Sequence, residues 1–293
     1  MPGAYGPRGV TRRRGALRQL IERRQGLVVP GAFDALSARL VEQAGFPAVY
    51  MTGFGVSASR LGLPDLGFAG LAEMVDQARN LAAAVSIPLI ADADTGYGST
   101  LQVRRTVQQY EAAGVAALHI EDQVAPKRCG HLAGKQVVPV EEFAARIRAA
   151  VAARTDPDFL VIARTDAIAV SGFEDAVHRA DAAARAGADV LFVEAPTSEA
   201  DIEALPRRLD RPLLFNYAPS GRSPLLPFSR LRALGYAVVI VPVDLLFAAT
   251  RAMQRTLTDL RDRDTTLRDP DRLVSFQEFL DLIGLSEQLR LGQ

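Results

Sequence analysis

Short apolar runs alternate with helical segments from about residue 27 onward. Eight runs are rich in β-branched residues and lack a two-residue alternation of apolar and polar positions. They cover 27–30, 48–52, 88–92, 117–121, 160–164, 190–194, 213–216 and 238–242. This pattern is typical of parallel strands that are buried on both faces. Eight such strands, each followed by a helix, predict an α/β fold that closes into a (β/α)₈ barrel of the TIM type.

An open doubly wound sheet is the alternative architecture. It is weakened because no G-x-G-x-x-G segment follows the first strand. A glycine instead follows several of the helical segments just before the next strand begins, at Gly45, Gly114, Gly187 and Gly235. Glycine is the usual residue directly after a helix C-terminus. The chain therefore repeats one helix–strand unit, as a barrel requires.

Both ends of the chain extend beyond the repeating units. The amphipathic pattern of residues 18–24 predicts a lead-in helix before the first strand. A charged surface connection is expected at 262–271, followed by an amphipathic helix at 275–283. We therefore divide the chain into a barrel with its N-terminal extension, 1–263, and a C-terminal helical extension, 264–293. The apolar face of the last helix needs a partner, and a neighbouring subunit could supply it.

Composition narrows the function classes. The chain has 293 residues, of which 48% are hydrophobic, so it can bury a large core. Basic and acidic residues number 34 each, and the net charge of +0 argues against a nucleic-acid partner. No apolar run approaches the ~20 residues of a membrane span. One cysteine and the lack of a signal-peptide apolar region predict a cytoplasmic protein, although the Arg-rich start also resembles an organelle transit peptide.

Polar side chains follow six of the eight predicted strands. They are Thr52, Asp92, Asp94, Glu121, Asp122, Arg164, Asp166, Glu194 and Asn216. Any one of them could be a helix N-cap or part of a structural ion pair. Barrel enzymes, however, place their active sites at the C-terminal ends of the strands. So many polar groups at one end would be costly to desolvate unless they bind something.

A cation and a carboxylate ligand would explain this set. Asp92 and Asp94 lie two residues apart and face the same side of one strand end, and Glu121 ends the next strand. Carboxylate oxygens suit Mg²⁺, with Mn²⁺ as a second possibility. The fork of Arg164 suits a substrate carboxylate. Together these residues predict a small anionic 2-oxo or 2-hydroxy acid that chelates the metal.

The only cysteine lies in a polar segment after the fourth strand. Lys127 and Arg128 precede Cys129, and Gly130 and His131 follow it. Nearby cations stabilise a thiolate, which makes this cysteine a candidate proton donor or acceptor. The alternative is a small buried cysteine with no chemical role, which such polar neighbours do not favour. The ligand spacing of a zinc site is missing, and we interpret His119 as a structural residue of the barrel wall.

Taken together, these segments resemble the isocitrate lyase / phosphoenolpyruvate mutase superfamily. The matching stretches are 29–37, 51–53, 61–67, 92–98, 120–122, 127–131 and 162–166. The Lys-Arg-Cys-Gly-His segment resembles the lyase branch, with 2-methylisocitrate and 2,3-dimethylmalate lyases, and it also occurs in carboxyphosphonoenolpyruvate mutase. The resemblance covers the chain from about residue 27 to 285. It implies a homotetramer, a dimer of dimers, whose C-terminal helices are exchanged between subunits.

The resemblance also implies three groups of site residues. Substrate would be bound by Thr52, Gly53, Phe54, Gly130, Arg164 and Asn216. The catalytic groups would be Lys127, Cys129, His131 and Glu194. Magnesium would be held, directly or through water, by Asp65, Asp92, Asp94 and Glu121.

The expected reaction follows from this resemblance. It is Mg²⁺-dependent cleavage of a carbon–carbon bond in a 2-hydroxy di- or tricarboxylate, a substituted malate or a methylisocitrate-like acid. The products would be a 2-oxo acid such as pyruvate and a carboxylate. The alternatives are a phosphorylmutase that forms a carbon–phosphorus bond and a catalytically silent barrel that binds a dicarboxylate. One segment departs from the family pattern: after the seventh strand, Pro219 replaces the usual glutamate, and Ala218 lacks the hydroxyl found in isocitrate lyases.

Overall fold

Eight parallel strands form a closed barrel in the computed structural model, which describes residues 7–130, 132–219, 221–263, 265 and 272–292. The strands are β1 Leu27–Ala32, β2 Val49–Met51, β3 Leu89–Asp92, β4 Ala117–Glu121, β5 Leu160–Thr165, β6 Val190–Val193, β7 Leu213–Asn216 and β8 Val238–Val241. Each strand pairs with the next, and β1 closes the barrel on β8, with Val28 opposite Val239. The predicted barrel is confirmed, and every strand begins and ends within two residues of its predicted bounds.

Helices connect the strands and flank the barrel at both ends of the chain. They are α1 Pro7–Glu22, α2 Ala35–Gln43, α3 Gly53–Val56, α4 Leu71–Ala84, α5 Thr100–Ala112, α6 Val140–Ala153, α7 Ile168–Ser171, α8 Phe173–Arg185, α9 Glu199–Arg208, α10 Phe228–Leu234, α11 Asp244–Arg263, α12 Phe276–Leu282 and α13 Leu285–Leu291. A π-helical turn, Ser57–Leu61, follows α3 directly. None of the described helices is both long and apolar enough to span a bilayer.

The strands bury both of their faces, in two separate cores. Val29, Ile90 and Ile162 belong to the core inside the barrel, which Phe192 and Ile240 also fill. The other face of each strand packs against the surrounding helices in a larger core. Because neither face meets water, apolar residues occupy consecutive strand positions. This explains why the runs in the sequence show no two-residue alternation.

Helix α1 closes the N-terminal end of the barrel, which we call the floor. Its Leu17 and Ile21 are buried in the barrel's inner core. Arg13 donates to the carbonyl oxygens of Ala82 and Val85 at 3.0 and 2.8 Å. The predicted lead-in helix is present, but it ends at Glu22 rather than at residue 24. It fixes the floor through bonds to backbone carbonyls after α4.

The C-terminal extension consists of two short helices instead of the single predicted one. Ser275 caps α12 by accepting from the backbone N–H of Glu278. Gly284 has a φ of 78°, a left-handed conformation that favours glycine, and it separates α12 from α13. Phe276 remains 79% exposed. Exchange of this extension between subunits stays a prediction, and most of the predicted 262–271 connection lies outside the described residues.

Candidate active site

A cavity of about 310 Å³ opens at the C-terminal ends of the strands, which we call the rim. Most of the predicted site residues whose side chains are described line it. The lining residues are Tyr50, Thr52, Phe54, Pro64, Asp65, Asp92, Cys129, Gly130, Leu132, Arg164, Phe192, Glu194, Asn216, Ala218, Pro219, Gly221, Ile240, Pro242, Val243 and Phe247. The fold thus brings together side chains from six strand ends and from the loop after β4.

Lys127 lies among the carboxylates that were predicted to hold the metal. Its Nζ is 2.6 Å from Asp65 Oδ1 and 2.7 Å from Asp94 Oδ1, and all three side chains are at most 8% exposed. Asp92 Oδ1 in turn accepts from the backbone N–H of Asp94 at 2.9 Å. The predicted catalytic lysine therefore neutralises two of the four predicted metal ligands.

The donors at this site fit a hard cation, although they do not form a finished cage. Glu121 Oε1 is a buried acceptor without a hydrogen-bond partner among the described residues. Such an orphaned oxygen suits a cation or its bound water. Within the described chain, however, no three acidic, histidine or cysteine side chains converge as a ready metal site. Metal binding by Asp92, Asp94 and Glu121 therefore requires small side-chain movements.

Burial and neighbouring charges shift the pKa values of these carboxyls in different directions. Burial raises the pKa of Asp94 to about 7, against the opposing effect of Lys127. Burial likewise holds the pKa of Glu121 well above its usual value. Burial would also raise the pKa of Asp92, but His119, Lys127 and Arg164 outweigh it, so this pKa is lowered. The cluster thus combines groups with contrasting proton affinities, a property of functional sites.

Arg164 projects from β5 into the cavity and is held in one orientation by Asp166. Arg164 Nε donates to Asp166 Oδ2 at 2.9 Å, and Nη2 donates to Oδ1 at 3.1 Å. Its guanidinium lies over the ring of Phe192, with Cζ 5.0 Å from the ring centroid. Glu121 Oε2 lies 3.3 Å from Nε. This fixed cation can bind a substrate carboxylate with little loss of side-chain freedom.

The loop that carries Cys129 packs down onto the rim. The Cys129 N–H donates to the carbonyl of Asp65 at 3.1 Å, and the partly exposed side chain borders the cavity. A Cβ on Gly130 would lie 2.5 Å from Arg164 Nη2 and 2.7 Å from Glu194 Oε1. Only glycine allows this approach to the two charged groups. His131, the remaining predicted catalytic residue of the loop, lies outside the described residues.

The segment after β2 forms the opposite side of the site. Thr52 caps α3 by accepting from the N–H of Gly55 at 3.2 Å. Gly53 packs so closely on the carboxylate of Asp92 that a Cβ would collide with it. Phe54 lines the cavity and meets the ring of Phe247 edge to face. The predicted substrate cradle at 52–54 thus borders both the carboxylate cluster and an apolar wall.

Glu194 and Asn216 lie side by side in the cavity, with Glu194 Oε2 3.8 Å from Arg164 Nη2. Asn216 Nδ2 is 3.2 Å from both carboxylate oxygens of Glu194. Asn216 Oδ1 is buried and finds no hydrogen-bond partner in the described part of the chain. Ala218 and Pro219, the residues that depart from the family pattern, line the same cavity. Its lining is therefore more apolar than the family's usual glutamate would make it.

Asp166 and Tyr50 contribute to the site without a predicted role there, and His119, interpreted as a structural residue of the wall, also lies next to it. Asp166 orients Arg164. Its position two residues after Arg164, at the same strand end, could have indicated this role. Tyr50 lines the cavity and shares a 2.8 Å hydrogen bond with Nε2 of His119. His119 is buried in the wall as predicted, but Nε2 also lies 3.6 Å from Asp92 Oδ1. Burial lowers the pKa of His119 to about 4, so it is neutral near pH 7.

Comparisons with known proteins agree with this geometry. Residues 17–261 match the family model of phosphoenolpyruvate phosphomutase. The chain belongs to this family. It is 44% identical to 2,3-dimethylmalate lyase of Eubacterium barkeri over 271 residues, which span 92% of this chain and 94% of the relative. The resemblance expected from the sequence is thereby confirmed.

Solved structures of family members superimpose closely. Oxaloacetate acetylhydrolase in complex with the inhibitor 3,3-difluorooxalacetate has a TM-score of 0.92 and 41% identity, with 96% of both chains covered. Phosphonopyruvate hydrolase in complex with oxalate and Mg²⁺ has a TM-score of 0.86 and 34% identity, with 95% of this chain and 97% of that chain covered. The barrel of this family member is therefore shared with enzymes that act on small anionic acids.

Proposed function

We propose that this phosphoenolpyruvate phosphomutase family member is a carbon–carbon lyase. It cleaves an alkyl-substituted 2-hydroxy dicarboxylate to a 2-oxo acid and a second carboxylate. The observation that carries this proposal is the pairing of a fixed cation, Arg164, with a loop cysteine, Cys129, across one cavity. The 44% identity to 2,3-dimethylmalate lyase supports the same reaction class.

The lining of the cavity favours a dicarboxylate over a tricarboxylate. Among the described residues that line it, Arg164 is the only cation. A third substrate carboxylate would thus be desolvated there without a partner. Much of the remaining lining is apolar and includes Phe54, Leu132, Ile240, Val243 and Phe247, together with Ala218 and Pro219. Alkyl groups on a substituted malate fit such a lining.

Bond cleavage requires a stabilised negative charge at the substrate oxygen. When Mg²⁺ is bound by Asp92, Asp94 and Glu121, it supplies Lewis-acid stabilisation of that charge. Arg164 binds a carboxylate of the substrate through its fork. The packed loop and Phe54 exclude water from the reacting centre. A rim carboxylate accepts the hydroxyl proton as the carbon–carbon bond breaks, and the electron pair passes to the departing carbon.

Cys129 completes the reaction by returning a proton. Its thiol borders the cavity on the side of the loop. We assign Sγ as the donor that protonates the departing carbanion, since a thiol is a far stronger acid than a serine hydroxyl. Glu194 and Asn216 bind the distal end of the substrate.

A phosphorylmutase is the second candidate because the matching family model carries that description. A phosphoryl group would need several cationic partners. The described cavity lining offers only Arg164, which already faces Asp166. The lyase therefore ranks first, and the assay below includes the mutase reaction.

The test measures product release from a panel of acids. The purified protein is incubated with Mg²⁺ and 2,3-dimethylmalate, 2-methylisocitrate, oxaloacetate or phosphonopyruvate, and released 2-oxo acids and phosphate esters are quantified. Cys129→Ser provides the matched control, and a chelator should abolish turnover in the parent. We expect release from the alkyl-substituted malate above all. Preferred cleavage of the tricarboxylate would contradict the substrate assignment, and conversion of phosphonopyruvate to phosphoenolpyruvate, with no cleavage of the other acids, would establish the mutase.

The family member is also proposed to work as a cytoplasmic homotetramer. Exposed apolar side chains on the last three helices support an interface there. They are Phe247, Met253, Leu257, Leu260, Phe276, Phe279, Ile283, Leu285, Leu289 and Leu291. Multi-angle light scattering of the full chain tests the assembly, and a monomer at micromolar concentration would contradict it.

A further inference from the structure

The chain contains only two lysines, and both lie in the loop after β4. Lys127 and Lys135 are the exceptions among 34 basic residues, all others being arginine. Both lysine residues are buried, at 5% and 8% exposure. A lysine ammonium is a compact point charge, whereas the arginine fork is wider and planar. Lys127 pairs with two of the predicted metal ligands, whereas Lys135 has no role in the proposed mechanism.

Lys135 Nζ bridges the loop and the barrel wall. It donates to the carbonyl oxygen of Gly130 at 2.5 Å and to Asp166 Oδ1 at 2.8 Å. The side chains of Lys135 and Asp166 are 1% and 0% exposed. A charge-assisted hydrogen bond in such a dry setting is stronger than one at the surface. Lys135 therefore fixes the backbone of Gly130, directly beside the candidate proton donor.

The same carboxylate also receives Arg164. Asp166 Oδ1 accepts from both Lys135 Nζ and Arg164 Nη2, so one oxygen joins the loop to the substrate-binding cation. The three side chains together carry one net positive charge. Without Lys135, Asp166 would neutralise Arg164 fully, and the attraction of Arg164 for an anion would fall. Lys135 thus affects both the net charge around Arg164 and the position of Gly130.

We propose that Lys135 is a positioning residue that holds Gly130 and Arg164 in register through Asp166. It sets the position of Cys129 and preserves the affinity of Arg164 for a carboxylate. The claim about the carboxylate affinity of Arg164 rests on the proposed function, in which Arg164 binds the substrate. The claim that Lys135 positions Gly130 and Cys129 concerns the loop alone and does not depend on any activity.

Two variants remove the ammonium, and one control removes a comparable cation elsewhere. Lys135→Met keeps the length of the side chain without its charge, and Lys135→Gln keeps a donor in case the first variant folds poorly. Arg14→Met is the control, since Arg14 is a buried cation on the floor that also binds backbone carbonyls and a carboxylate. Circular dichroism establishes that each variant is folded.

The first measurement is the rate at which 5,5′-dithiobis(2-nitrobenzoate) modifies Cys129, the only thiol of the chain, in the absence of substrate. Loss of a nearby cation would by itself slow this reaction, because the thiolate is less stabilised. We expect instead that Lys135→Met accelerates the thiol reaction about tenfold, because the loop is released. A tenfold change lies within the range of interaction energies found for residues in direct contact. Arg14→Met should leave the rate unchanged.

The second measurement is the Kd of oxalate in the presence of Mg²⁺, by titration calorimetry. We expect Lys135→Met to raise the Kd of oxalate about tenfold and Lys135→Gln to raise it less. A tenfold change again lies within the range of interaction energies of residues in direct contact. A faster thiol reaction with unchanged oxalate affinity would overturn the link to Arg164. If the thiol modification rate and the oxalate Kd of Lys135→Met both stay within twofold of the parent values, the proposal is overturned. If the parent itself binds no oxalate, the proposed function fails, while the thiol rates still decide the role of Lys135 at Gly130.

Discussion

The floor and the rim of the barrel both bury charged side chains, but they give them different partners. On the floor, Glu111 accepts from the N–H groups of Thr155 and Asp156 and from the Thr155 hydroxyl. Arg14 donates to two backbone carbonyls and to Asp156. At the rim, charges mostly face other charges, and buried oxygens of Glu121 and Asn216 lack partners among the described residues.

The difference separates groups that stabilise the fold from groups that bind a ligand. Backbone partners are fixed by the fold, so the floor charges have one arrangement and little reactivity. Rim charges are held by one another, and their pKa values diverge as a result. Strained or incompletely satisfied polar groups are expected at functional sites. Substitutions at the rim should therefore change turnover more than stability, and substitutions on the floor should do the reverse.

The largest effect should come from Cys129→Ser at the rim. We expect kcat to fall about 10³-fold, because a serine hydroxyl is too weak an acid to replace the thiol. The melting temperature and Mg²⁺ binding should stay close to those of the parent. Steady-state kinetics and differential scanning calorimetry measure the two quantities. A variant with near-normal kcat would leave Cys129 without an acid–base role.

On the floor, Arg14→Met should reverse this pattern. It removes the Arg14 donor from the Val115 carbonyl and one of the donors from the Glu111 carbonyl, and it should lower the free energy of unfolding by about 3 kcal/mol. Denaturant unfolding measures this loss. The kcat at temperatures well below the melting transition should match that of the parent. A large fall in kcat with full stability would erase the distinction between the two ends.

Arg164→Lys should reduce kcat/KM about 100-fold, since lysine cannot hold Asp166 with two bonds and also bind a carboxylate in two places. Most of the loss should appear in KM. The comparison is with Arg18→Lys on the floor, whose partners are partly exposed and whose kinetics should not change. Equal KM values for Arg164→Lys and the parent would remove Arg164 from substrate binding.

The smallest expected effect is on the pH dependence of stability, through the carboxylate of Asp156 on the floor. Burial would raise the pKa of Asp156, but hydrogen bonds from the Asp158 N–H and from Arg14 outweigh it, so this pKa lies below its usual 3.8. The carboxylate therefore stabilises the fold at pH values above 3.8, and the contribution disappears as the pH falls through the lower folded-state pKa. Asp156→Asn should cost less than about 1 kcal/mol at pH 7. The difference between variant and parent should shrink as the pH falls below 3.8; a constant difference would contradict the ion pair.

Sequence patterns predicted the barrel well because parallel strands leave a local signature. Each strand buries both faces, so each appears as a separate apolar run, and its last residues mark the rim. For the same reason Asp92, Arg164, Glu194 and Asn216 meet around one cavity, and Glu121 lies beside Arg164. These positions follow from strand order and length alone.

Contacts between loops and strands could not be predicted in this way. The distance from Lys127 to Asp65 depends on how two loops fold over the rim, which no periodicity encodes. Lys135 reaches Asp166 across 31 positions of sequence. The predicted helix at 275–283 agrees with α12, but the further helix α13 after Gly284 was not predicted. Long-range side-chain geometry is therefore the part that the structure adds.

Helix α1 also has a consequence for how the protein is made on the ribosome. It emerges before its partners, since Arg14 bonds to residues 111, 115 and 156, and Arg18 bonds to residues 157, 158 and 189. More than half of the chain must be synthesised before these partners exist. At ~5–20 residues per second, α1 waits on the order of ten seconds for its docking site. Helix α1 is thus translated long before the residues that hold it, and its docking on the floor must follow their synthesis.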